Sequence, residues 1–110
     1  VTLGRAGEHR TVSGAGNEYA LLTPDPDRRI EMYKVVFRRQ PDQKPVLASH
    51  EGAECGYIIS GTLRVITEEE EYVLHPGDSI YFESTILHYL QNAGDEEECV
   101  AVWGEVPFTW

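Results

Sequence analysis

From Tyr19 onward the chain alternates short apolar, β-branched runs with clusters of turn-forming residues. Runs of about four to seven residues bounded in this way read as strands. Tyr19 to Thr23 is stopped by Pro24-Asp25-Pro26-Asp27, and Ile30 to Phe37 by Gln40-Pro41-Asp42. Val46 to Ser49 leads into His50. Gly56 to Ile59 closes at Ser60-Gly61, Leu63 to Thr67 runs into the acidic tip Glu68 to Glu71, and Tyr72 to Leu74 ends at His75-Pro76-Gly77-Asp78. Ser79 to Phe82, His88 to Gln91 and Cys99 to Trp103 complete the series. No window keeps helical periodicity for about ten residues, and prolines interrupt several candidates. The pattern predicts an all-β fold of many short antiparallel strands, a sandwich or barrel. Val1 to Gly16, rich in Gly, Arg and Ser, reads as a flexible lead-in with one short strand around Thr11 to Ser13, and residues 17–110 as the domain proper.

Composition narrows the function classes. At 110 residues there is room for one domain, long enough to bury a core without disulfide staples. A formal net charge of -10, from 19 acidic against 9 basic side chains, repels phosphate backbones and anionic membranes. Direct nucleic-acid contact by this domain is therefore not expected. Cys55 and Cys99 form no disulfide framework and no Cys-x-x-Cys zinc spacing, which suits a reducing, cytoplasmic setting. No apolar run approaches the roughly 18 residues of a membrane span. The only methionine is Met32, so the chain starts at Val1 without an initiator, which leaves room for a further domain upstream.

Most polar clusters have a plain solvent reading. Glu68 to Glu71 sits at a hairpin tip, where adjacent residues alternate faces and like charges stay in water. Asp95 to Glu98 reads the same way, His9 and His75 as surface histidines, and the cysteines as small buried hydrophobes. Cys55 adjoins Glu54 and should point away from whatever Glu54 faces. His50 and Glu54 differ, because an even spacing of four puts both on one face of an extended strand. His88, following a Gly-Asp turn, could add a second imidazole, and two histidines with a carboxylate suit iron or manganese.

The residues carrying this set resemble the two motifs of the cupin superfamily. In the first, His50 stands as the second histidine, Glu54 follows after three residues and Gly61 after six more; in the second, Gly77, His88 and Asn92 fall at the required intervals. Four positions depart: Asp42 and Thr85 replace glycines, Glu83 replaces the proline and Ala48 replaces the first histidine. The resemblance implies a cupin double-stranded antiparallel β-barrel, a jelly roll, with His50, Glu54 and His88 facing its interior. It also implies a four-ligand metal site lacking one donor, at Ala48. No cofactor is expected on that ground; the group a three-ligand set could hold is a divalent metal, namely iron, manganese, zinc or nickel.

Within the superfamily, Ser49 to Gly61 and Gly77 to His88 look most like the C-terminal cupin domains of small helix-turn-helix transcriptional regulators. Tyr19 to Pro24 and Val102 to Phe108 agree. The resemblance implies a sensor that binds a small-molecule effector and forms a homodimer, with the DNA-binding helices upstream of Val1. The competing class is a stand-alone metal-dependent cupin enzyme, a dioxygenase or isomerase, and a barrel with a purely structural role is a third. Candidate ligand-binding residues are His50, Glu54, Tyr57, Tyr81, His88, Asn92 and Trp103, with Tyr89 beside them and Arg38 or Arg64 as carboxylate partners. For the tyrosines, packing in the core or in a subunit interface is the competing role.

Overall fold

The computed structural model describes residues 1–25, 29–41 and 43–107. Pro26 and Asp27 of the first turn, the motif position Asp42 and the terminal Phe108 lie outside the described residues. Nine strands and no helix are found among the described residues. They are β1 (Thr11–Gly14), β2 (Asn17–Leu21), β3 (Glu31–Arg38), β4 (Ala53–Ser60), β5 (Leu63–Thr67), β6 (Glu71–Leu74), β7 (Ser79–Glu83), β8 (His88–Asn92) and β9 (Glu98–Val106). A six-stranded sheet runs β1-β2-β3-β9-β4-β7 and a three-stranded sheet β6-β5-β8, with every pairing antiparallel. This is the expected jelly-roll β-barrel.

Strand alternation builds the core. On β3, Tyr33, Val35 and Phe37 turn inward while Met32 and Lys34 face out; on β9, Cys99, Ala101 and Trp103 do the same. Leu63 and Val65 from β5, with Ile58, Leu74 and Phe82, fill the space between the sheets. Burying each such side chain contributes roughly 1.5–3 kcal/mol, so the period-two pattern alone decides which face closes.

One expected strand does not form. Val46 to Ser49 makes only an isolated bridge, Ala48 to His88, beyond the edge of β8. Val46 is exposed, and Pro45 before it has no N–H to start a ladder. His50 consequently lies outside any strand, and the even-spacing argument that placed it beside Glu54 does not hold. A bend at Glu51-Gly52 carries the chain into β4 instead. Gly52 has φ +104°, and a Cβ there would stand 1.8 Å from the Val106 carbonyl oxygen, so both backbone conformation and space require glycine.

Candidate metal centre and pocket

Glu54, the second residue of β4, turns inward and is almost completely buried. A carboxylate in that position needs compensating donors. Two are present: the Trp103 indole Nε1–H donates to Oε1 at 3.0 Å, and the Ser84 hydroxyl donates to Oε2 at 2.6 Å. Trp103 reaches Glu54 because Gly56, its cross-strand neighbour, has no side chain. A Cβ on Gly56 would lie 2.0 Å from the indole ring.

His88 opens β8 and is buried, with its ring against Phe82 at a centroid distance of 4.9 Å. Its Nδ1 lies 2.5 Å from the Ile86 carbonyl oxygen and its Nε2 3.5 Å from Glu54 Oε2. His50 is held by its backbone N–H, which donates to the Ser84 carbonyl at 2.9 Å. Its Nδ1 is 3.1 Å from the Glu51 carbonyl oxygen, and its Nε2 is 3.1 Å from Glu54 Oε2. A carbonyl only accepts, so each Nδ1 carries a proton and donates it. In the neutral rings both Nε2 lone pairs then point toward the Glu54 oxygen.

Three acceptors thus converge, with one donor atom from each residue all within 4.8 Å of one another. Acceptors facing acceptors call for a cation between them, either a proton on an imidazole or a metal ion. The donor set fits a divalent metal: two imidazoles orient through backbone carbonyls, and a carboxylate orients through an indole and a hydroxyl, as supporting contacts around metal ligands do. Ala48 supplies no donor, and its backbone pairs with His88 in both directions, at 3.1 and 2.9 Å.

The triad stands in a pocket of about 730 Å³, within the range of small-molecule sites. Val35, Phe37, Val46 and Leu90 give it apolar walls, and Arg10 and Val12 bring the N-terminal segment to its lining. Tyr33 donates a short hydrogen bond to Glu105 inside the same pocket. Burial first, and then the Glu105 carboxylate, hold the Tyr33 phenol well above its ordinary range, so it stays a donor.

The candidate residues separate into two groups. His50, Glu54, His88, Tyr89 and Trp103 line the pocket. Tyr57 and Tyr81 do not; they are exposed on the outer face of the six-stranded sheet, because Tyr57 is three residues from Glu54 and Tyr81 pairs with the outward Cys55. Cys55 points away from Glu54 as expected but is exposed, whereas Cys99 is buried. Asn92 is buried away from the pocket lining: its Nδ2 donates to the Phe37 and Glu96 carbonyls, and its Oδ1 accepts from the Gly94 N–H. Arg38 pairs with Glu18 and Glu98, and Arg64 with Glu71, so neither serves the pocket. Sequence reasoning missed Arg10, Tyr33, Ser84 and Glu105; only Tyr33 and Glu105 carried a signal, being in step with inward neighbours at period two.

Residues 35–105 match a family model described as the cupin domain. Solved structures of the same fold include Fe(II) HppE, with a TM-score of 0.82 and 17% identity over 96% of this chain. KdgF from Halomonas sp. aligns over 96% of this chain and 92% of its own, with a TM-score of 0.75 and 21% identity. An RmlC-like cupin from Shewanella frigidimarina aligns over 96% of this chain and 89% of its own, with a TM-score of 0.76 and 15% identity. At such identities the likeness is one of fold. This chain spans 60% of the HppE chain. No curated protein sequence matches it significantly. No helix is long and apolar enough to cross a membrane among the described residues.

Proposed function

The chain belongs to the cupin family, and from that premise we propose that it is a small-molecule sensor domain whose effector binds over a divalent metal held by His50, Glu54 and His88. The carrying observation is the convergence of two carbonyl-oriented Nε2 atoms and one anchored carboxylate oxygen inside an apolar pocket. Bound there, a metal would supply a Lewis-acidic anchor for oxygen donors on a ligand. The chain's own residues do the rest: Trp103 and Ser84 fix Glu54, the apolar walls offer contact to the carbon skeleton of a ligand, and Tyr33 holds its proton toward Glu105. With Ala48 in the place of a further donor, coordination positions on the pocket side are left to the ligand.

The regulator reading rests on the resemblance of the motif phrases to sensor domains and on one structural fact. Arg10, Val12, Ala15 and Asn17 line the pocket, so an effector touches the segment leading to any preceding domain. That contact gives a route for the differential binding that regulation requires. A second reading, a metal-dependent enzyme, is supported by the donor set itself: two histidines and one carboxylate with open positions is the arrangement of non-haem Fe(II) oxygenases.

Calorimetric titration of chelator-free protein with Zn²⁺, Co²⁺ and Fe²⁺ tests the centre. One equivalent should bind, and His50→Ala and His88→Ala should each abolish binding. Thermal-shift screening of the metal-loaded domain against small carboxylates and hydroxy acids follows, with each hit incubated and recovered. A sensor returns its hits unchanged. Metal-dependent conversion lost in Glu54→Ala establishes the enzyme reading in its place, and unaltered metal binding in both histidine variants removes the centre altogether.

A further inference from the structure

The pocket is polar at one end and apolar at the other, and the strand registers set that order. Glu54 pairs across the sheet with Glu105, and the next inward row holds Tyr33 beside Trp103. One step further along the same strands the inward row is Val12, Tyr19 and Val35, and Phe37 follows it. The facing wall, on β8, goes through the same change. Asn92 donates to the Phe37 carbonyl at 3.0 Å, so Leu90 stands near the level of Val35 and His88 at the polar end. Asn17 lines the far end, but its amide is spent on the protein: Oδ1 accepts from the Arg38 backbone N–H at 3.3 Å, and Nδ2 lies 3.5 Å from the Tyr19 hydroxyl. Arg10 belongs to the polar end. The Leu21 N–H donates to its carbonyl at 2.8 Å and Leu21 pairs with Tyr33, which puts Arg10 in the Tyr33 row. Among the described residues it is the only cation lining the pocket, and no carboxylate pairs with it.

We propose that the ligand of this site is an amphiphilic carboxylic acid, with its carboxylate at the His50–Glu54–His88 end on the side of Arg10 and its apolar tail along Val12, Val35 and Leu90. The proposal rests on the metal-anchored reading of the site. Tail length follows from the rows: each inward step is two residues, about 7 Å, and the steps from the Tyr33 row to Phe37 leave room for about six to eight carbon atoms. Chemistry selects against other occupants. A sugar or a short diacid would set polar groups against Val12, Val35 and Leu90, where they find no partner. Charge selects the head. An acid arriving at Glu54 and Glu105 needs compensation; Tyr33 already donates to Glu105, and the metal and Arg10 supply the positive charge.

Calorimetric titration of the Zn²⁺-loaded full chain with the linear acids from butanoate to dodecanoate measures both ends of the ligand. Affinity should rise about fourfold for each added methylene, as burial of a CH₂ requires, and level off beyond about octanoate, where the tail meets the Phe37 row. Val12→Asn places an amide in the tail row on an edge strand, so it should weaken octanoate by about tenfold and leave butanoate nearly unchanged. Arg10→Gln should weaken both acids alike, by about five- to tenfold. Zn²⁺ affinity should stay at the wild-type value in both variants, because neither residue is a metal ligand. Affinity that is flat with chain length, or succinate binding tighter than octanoate, overturns the proposal, and one bound equivalent of Zn²⁺ then leaves the metal centre standing. Octanoate binding that both variants leave intact overturns it too. If no Zn²⁺ binds, the centre fails by itself, and the same series on the metal-free chain decides the tail: a rise of the stated size supports it, and a flat series removes it.

Discussion

Replacing Trp103 by phenylalanine tests whether the indole positions Glu54 or merely fills space. Trp103 is fully buried and its Nε1–H is the donor to Glu54 Oε1, at 3.0 Å. Removing a hydrogen bond to a buried charged group costs about 1.5–3 kcal/mol, and trimming the bicyclic ring to a phenyl adds roughly 1–2 kcal/mol of lost burial and cavity. The sum, about 2.5–5 kcal/mol, is large for a chain of this length. With an unfolding entropy near 2.1 cal/mol/K per residue it lowers Tm by roughly 11 to 22 °C. A second effect should accompany it, since a carboxylate no longer fixed at one oxygen can rotate. Loss of supporting contacts around metal ligands typically costs about 10- to 100-fold in affinity, and Zn²⁺ titration at a temperature where the variant is folded should show a weakening of that order. Thermal melting and calorimetry on the same samples separate the two effects. If Tm falls as worked out but Zn²⁺ affinity stays within about threefold of wild type, Trp103 only packs against Glu54, and the orienting role assigned to it is wrong.

Alkaline pH should expose Cys99. Burial, and then the Glu96 carboxylate, push its thiol from 9.0 up to about 11. The folded chain therefore holds this proton more tightly than the unfolded one, and stability is full below about pH 9 and falls by roughly 2–3 kcal/mol as pH rises toward 11. Urea titrations across that range should show the decline, and Cys99→Ala should reduce it, leaving the part that the raised Tyr33 phenol contributes above about pH 10. Asn92→Ala should cost about 2–3 kcal/mol by stranding the buried Phe37 carbonyl, while Zn²⁺ binding in the folded variant stays at the wild-type value. Weakened metal binding there would return Asn92 to the pocket.

Eight of the nine strands were legible in the chain at nearly their observed positions, and β1 was legible as Thr11 to Ser13, because burial of alternate side chains writes itself into the order of residues. His50, Glu54 and His88 were legible through the motif spacing, but the even-spacing argument for His50 failed, because His50 lies outside any strand. Local pattern also contained a warning that went unused: Tyr57 lies an odd number of residues from Glu54 on one strand and must face the other way. Tyr81 is different, since only the pairing of β7 with β4 puts it beside Cys55 on the outer surface. The strand expected at Val46 to Ser49 failed because an apolar run needs a partner along its length, and only Ala48 finds one, at His88. His50 arrives beside Glu54 through a glycine bend and a backbone bond to Ser84, neither of which periodicity encodes. The anchoring of Glu54 lies furthest from the reach of sequence. Ser84 is 30 residues away and Trp103 is 49, and nothing in either residue's neighbourhood marks it as a carboxylate's partner. A hydrogen bond is decided by distances of a few ångströms between side chains, and for residues so far apart only the closed barrel sets those distances.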